Sequence, residues 1–250
     1  MNKLGFLGFF IIICCLLFAQ SYHGSSITGL FDVPAFLIVF GGTLGAVLVQ
    51  TSSKQFHHAI SLLPVLFIRS PLSLIKQSQK IQSWSFKSRQ NGLLSLEKEN
   101  NKSLDPFTQK GLAMLVDGCE PQILQDILQQ DIDLENEHYE RSAQVYESMG
   151  GYSPTIGIIG AVLGLIQAMG YLDQPDKLGE GIAIAFIATI YGVAFANFIY
   201  LPIANKIRLY YQYIALYKEM TLIGLLAIAH GDNGLLLERR LSCYLDKASY

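Results

Sequence analysis

Apolar positions gather into four uncharged blocks separated by polar, charge-rich stretches. The first runs from Leu4 to Ala19 behind Lys3, and the second from Val33 to Val49 behind Asp32. The third spans Tyr152 to Tyr171 and the fourth Gly181 to Leu201. A block of this length makes about 30 Å of α-helix, which matches the hydrocarbon core of a bilayer. The pattern predicts an all-α polytopic membrane protein with four transmembrane helices, over 4–20, 33–50, 152–171 and 181–201. The first block competes with a reading as a cleaved signal peptide. Its end, Leu17-Phe18-Ala19-Gln20, lacks the small-residue cleavage pattern, and a second apolar block follows closely, so a retained helix is expected.

The polar region 51–150 mixes apolar and charged residues at helical spacing, as in Gly111 to Val116, Ile123 to Leu128 and His138 to Met149. Turn pairs divide it: Asn91-Gly92, Asp105-Pro106, Asp117-Gly118 and Glu120-Pro121. No strand-like alternation persists. The expectation is a helical cytoplasmic domain over 51–150, completed by the tail 202–250.

Charge sets the orientation. Of the 18 Lys and Arg residues, ten lie between Gln50 and Gly150 and six after Pro202. The link Ser21 to Phe31 has none, and Leu172 to Glu180 has one Lys against three acids. Basic segments stay in the cytoplasm, so both termini and the middle region face inward and the two short links face outward.

Composition narrows the function. Half the residues (51%) are hydrophobic and only 15% are charged, with a net charge of −2. Mean hydropathy is +0.33. No basic field for nucleic acid exists. Cys14 and Cys15 sit in an apolar run, Cys119 and Cys243 lie far apart, and no pair has the spacing of a zinc or redox site. Reduced thiols fit better than a disulfide framework. No nucleophile, metal cluster or phosphate loop is visible, which argues against an enzyme and against a bound cofactor.

The four blocks hold no Asp, Glu, Lys, Arg or His in their interiors; Asp32 and Glu180 stand at the outer ends of the second and fourth. Ion carriers usually need a titratable group within the membrane. Either the chain transports nothing, or a partner supplies that group. The third helix carries a stripe of Gly157, Ala161, Gly164 and Ala168, and the fourth one of Gly181, Ala185, Thr189, Gly192 and Ala196. Such stripes let backbones approach closely in lipid. They either pack the helices of one chain together, or line a narrow path or grip a central partner helix. Thr189 is the one hydroxyl on the fourth-helix stripe, and a lone Thr often bonds its own backbone. Pro154 is expected to start the third helix and Pro202 to end the fourth, either as ordinary punctuation or as two hinges at one membrane depth.

These residues also carry a resemblance. Gly150-Gly151-Tyr152-Ser153-Pro154-Thr155-Ile156-Gly157 with Gly160-Ala161-Val162-Leu163-Gly164 resembles the third-helix signature of flagellar motor stator A subunits, the MotA side of the MotA/TolQ/ExbB family. The run Gly181 to Gly192, then Ala196-Asn197 and Leu201-Pro202-Ile203-Ala204, resembles its fourth helix. Asp32-Val33-Pro34 with Gly41-Gly42-Thr43-Leu44-Gly45 resembles the second, and Met114-Leu115-Val116-Asp117-Gly118 the cytoplasmic domain. The similarity is weakest between Ser52 and Gln82.

The resemblance implies a multi-pass protein of the bacterial inner membrane. It implies a homo-oligomeric ring of A subunits around the single membrane helices of a stator B subunit, which carries the protonable Asp. It implies proton flow that drives the A ring against a rotor switch ring protein. Pro154 and Pro202 match the family's two functional prolines. Thr189 matches the polar residue beside the ion path, and Ala161 stands where sodium-type relatives place a Thr. Arg89 and Glu97 align with the charged residues that face the rotor; Gln90 stands where some relatives have a second basic residue. Asp32 is a candidate for the outer ion entrance. Two rivals stand beside this expectation: a TolQ/ExbB-type energiser of outer-membrane processes, whose members have three membrane helices and lack the N-terminal hairpin, and a scaffold that conducts nothing.

Overall fold

The computed structural model describes residues 8, 10, 11, 14, 31–66, 72–101 and 103–247. Apart from four positions, the expected first transmembrane helix, 4–20, lies outside them. The described residues form helices and no strand. Among the described residues, three helices are long and apolar enough to cross a membrane: Val33–Gln50, Pro121–Met169 and the run Lys177–Ala229. The chain divides into two compact units, one of residues 1–68 with 140–208 and the other of 69–139 with 209–250.

In the first unit, α1 covers Val33–Gln50. Asp32 caps its start by accepting the Ala35 N–H at 2.7 Å, and Pro34 occupies the first turn, where its missing N–H costs nothing. A single π-helical turn, Leu37–Gly41, interrupts it. Helix α2, Ser53–Ser61, is capped by Ser52 and docks on the chain around 141–146. Gln55 Nε2 donates to the Arg141 carbonyl at 2.7 Å, and the Tyr146 hydroxyl donates to the Ala59 carbonyl at 2.9 Å.

The second unit holds α3 (Leu74–Asn91) and α4 (Pro106–Val116), with a 3-10 turn at Leu93–Glu99 between them. Helix α8 (Gly234–Lys247) packs on α3. Trp84, Ile81, Leu96, Leu112, Leu225 and Leu237 form its sealed core. The turn pairs anticipated from sequence each fall at a helix end. Asp105 caps α4 by accepting the Thr108 N–H at 3.0 Å. Gly118 closes α4 with φ +74°, a left-handed conformation that side chains resist, while Cys119 N–H reaches back to the Met114 carbonyl. One buried polar network runs through this unit: Gln77 Nε2 donates to Thr108 Oγ1 and Thr221 Oγ1, and Thr108 and Tyr217 donate to Asp105. Each buried group is thereby satisfied.

Helix α5, Pro121–Met169, and the succession α6 (Pro175–Phe195), a π turn (Ala196–Tyr200) and α7 (Leu201–Ala229) correct one sequence expectation. Pro154 does not start a helix and Pro202 does not end one; Pro154 lies inside α5, and Pro202 is the second residue of α7. Composition changes where the chain leaves lipid, but the hydrogen-bond ladder need not stop there.

Candidate functional site

The small-residue stripes of α5 and α6 face each other. A Cβ added at Gly157 would lie 2.9 Å from the Ala188 carbonyl oxygen and 3.2 Å from Gly192 Cα. One added at Gly164 would lie 2.9 Å from Ala185 N, and one at Gly181 3.0 Å from Ala168 Cα. Only glycine permits backbones this close. Of the two readings of the stripes, these residues take the first: they pack two helices of one chain. Ala161 and Thr189 are half-buried at the margin of the same crossing. The Thr189 Cα is 3.5 Å from the Cβ position of Gly157, one turn before Ala161. Bulky apolar side chains on the outer faces, among them Ile159, Val162, Ile166, Phe186 and Val193, are exposed.

The Thr189 hydroxyl donates to the Ala185 carbonyl at 3.2 Å, so it bonds its own backbone. Its proton is therefore spoken for, and its lone pairs remain as acceptors. Asp32 has a local task as the cap of α1, and its backbone N–H donates to the Tyr191 hydroxyl of α6 at 3.2 Å. Phe36, Phe40, Tyr191 and Phe195 form an aromatic cluster between α1 and α6.

Pro154 has no N–H to offer the Gly150 carbonyl, yet the helix continues. It sits at the tightest point of the crossing: a Cβ on Gly192 would lie 3.2 Å from Pro154 Cα and 2.7 Å from the Ser153 carbonyl oxygen. Pro202 comes two residues after the π turn, and the Leu201 N–H between them bonds the Ala196 carbonyl five residues back. That wider turn absorbs the proline without ending the helix.

Three features escaped the sequence reading. The Ser153 and Thr43 hydroxyls are fully buried without a hydrogen-bond partner. Ser153 borders Pro154, and that adjacency was its one visible signal. The π turns left no sequence trace beyond the proline after the second. Arg208 grips Glu140 with Nε at 3.0 Å and Nη2 at 2.7 Å, and Nη2 also reaches Glu147 at 2.5 Å. Glu140 and Glu147, seven apart on α5, share one helix face, a spacing that could have pointed to a common partner.

In the second unit, Arg89 lies in the last turn of α3 and Glu97 on the following 3-10 turn, joined through Gly92 with φ +77°. Both are exposed, and among the described residues neither forms an ion pair. Arg89 is steadied by Ser85, its Nη2 donating to Oγ at 3.0 Å. The neighbouring charges differ: Lys87 pairs with Glu99, and that bond holds the Glu99 carboxyl below the usual carboxylate range. Among the described residues, Arg89 and Glu97 thus stand without an ion pair, with exposed Lys98 next to Glu97.

The profile of the MotA/TolQ/ExbB proton channel family matches residues 99–220. The chain is similar to motility protein A of Bacillus subtilis, 29% identical over 98% of this chain and 91% of that one. It is 32% identical to chemotaxis protein PomA of Vibrio alginolyticus, over 90% of this chain and 88% of that one. Among solved structures it resembles a chain of C. jejuni MotAB, with a TM-score of 0.91, 26% identity, and 98% and 96% of the two chains covered. It also resembles a chain of the flagellar MotAB stator complex from Bacillus subtilis, with a TM-score of 0.88, 29% identity, and 97% and 96% covered.

Proposed function

This chain belongs to the MotA/TolQ/ExbB proton channel family and is a stator A subunit of the flagellar motor, and we propose that it couples proton flow to torque on the rotor. It is embedded in the membrane and pairs with a B subunit, as the match to MotAB complexes over nearly its full length supports. The observation that carries the coupling is that the interiors of the apolar blocks hold no Asp, Glu, Lys, Arg or His. Such helices offer no carboxylate to relay a proton, so the titratable group falls to a partner, and the family resemblance implies that it is an Asp of the B subunit.

In this reading four helices cross the inner membrane, with both termini in the cytoplasm, and several A subunits ring the B helices. The α5–α6 crossing forms each subunit's wall around the path, with Thr189 and Ala161 beside it and Asp32 near the outer entrance. Pro154 and Pro202 are hinges, and Arg89 with Glu97 meets the rotor switch ring. Each charge crossing the membrane releases about 2.3 kcal/mol per 100 mV, enough to bias a conformational step. The chain works as a channel component, without covalent chemistry.

Deleting the gene tests the assignment. Lost or altered swimming is expected; defects in the envelope or iron uptake with normal swimming would support the TolQ/ExbB alternative. Membranes holding only this purified chain should pass no ions, and flux through them would overturn the assignment of the titratable group to the partner.

A further inference from the structure

We propose that the rotor contact has an apolar anchor, formed by Phe86, Leu94 and Leu235, and that the tail helix α8 is part of the docking face; this rests on the reading of Arg89 and Glu97 as rotor-facing. The second unit seals its core, with Trp84, Leu96 and Leu237 at 1% exposure or less. Against that background Phe86 is 60% exposed, Leu94 73% and Leu235 63%.

These three lie close to Arg89 and Glu97 along the chain or across the α3–α8 contact. Phe86 lies three residues before Arg89, on the same face of α3. Gly92 turns the chain back, and Ser95 Oγ donates to the Lys87 carbonyl at 3.4 Å, which returns Leu94 to the end of α3. Helix α8 closes the third side. Its first residue, Gly234, stands so near that an added Cβ would lie 3.2 Å from Arg89 Nη2, and Leu235 follows.

Isolated exposed leucines need no explanation, but bulky apolar groups gathered around an unpaired Arg have the anatomy of an interface centre. Exposed ion pairs steer association and fix register, yet hold partners weakly. A contact that bears load needs slow dissociation, and desolvated apolar area supplies it. The occupant is therefore a rotor surface with an acidic group opposite Arg89, a basic group opposite Glu97, and aliphatic or aromatic side chains between them.

The test uses the complete stator pair in cells, with fluorescent A subunits. Leu235→Gln and Phe86→Gln are compared with Leu235→Met and with Arg89→Glu. Both glutamine variants should shorten the dwell time of stators at motors by about three-fold or more, as lost anchor residues act on dissociation. Leu235→Met should stay near the natural protein, and A-subunit rings should assemble in every variant. If Arg89→Glu shortens dwell time and the glutamine variants do not, the anchor is wrong while the rotor face stands. If all three leave it unchanged, the rotor reading falls and the anchor with it. Failure of the rings to assemble in the glutamine variants would assign the patch to contact between A subunits and overturn the proposal.

Discussion

Gly192 meets Pro154 backbone to backbone: a Cβ on the glycine would lie 3.2 Å from the proline Cα. The same methyl group would fall 2.7 Å from the Ser153 carbonyl oxygen, and backbone cannot yield as a flexible side chain can. Gly192→Ala should therefore destabilise the α5–α6 crossing by about 1–3 kcal/mol, the usual cost of overpacking. Thermal melting of the purified complex measures it. Gly179→Ala, where nothing lies within 4 Å of the new methyl, is the control. Equal melting temperatures for the two variants would mean that the helices do not meet in this way.

Pro154 breaks the ladder of a helix that continues regardless. Pro154→Ala restores an N–H to the Gly150 carbonyl and removes a penalty of about 3 kcal/mol for an interior proline. The complex should melt at or above the temperature of the natural protein, with rings assembled and swimming abolished. Pro202→Ala should behave alike, because the π turn before it would lose its reason. Intact swimming in both variants would end the hinge reading.

Helix ends were legible wherever a side chain fixes them. Asp105-Pro106 declares a cap and Asp117-Gly118 a left-handed stop, and both stand in the structure. The continuity of α5 through Pro154 was not legible, because composition reports the surrounding solvent and not the hydrogen-bond ladder. The stripes were legible as close-packing surfaces, but glycine spacing does not say whether the facing backbone is in the same chain. Facing distances at Gly157 and Gly164 decide that. Ser153 stayed hidden because a hydroxyl's partner, or lack of one, depends on packing alone.

Arg89 and Glu97 flank one turn without an ion pair to any described residue, so their fields are available to a partner. Charge reversal at either should lower torque while leaving membrane insertion and stability unchanged. An exposed ion pair is worth about 1 kcal/mol at most, so each reversal should weaken motion more than abolish it. Reversing the facing charge on the rotor should restore part of the speed. Swimming speed in the single and paired variants is the measurement, and unchanged speed in both single reversals would remove these residues from the contact.

The coupling ion turns on oxygen ligands. Na⁺ must exchange its hydration shell for several oxygens, whereas a proton needs a carboxylate and a chain of water. Ala161 contributes no hydroxyl at the crossing, and Ala188, beside Thr189, contributes none. The Thr189 hydroxyl already donates to the Ala185 carbonyl. Its lone pairs suit a hydrogen-bonded water or a protonated carboxyl, but one oxygen beside a single partner carboxylate makes a poor sodium cage. Proton coupling is the expected outcome. Cells carrying only this stator pair should swim at undiminished speed in potassium medium free of sodium, and a protonophore should stop them. Thr189→Val keeps the shape and removes the acceptor, so it should slow swimming without preventing assembly. Speed that rises from near zero with added sodium would refute proton coupling, whatever Thr189→Val does.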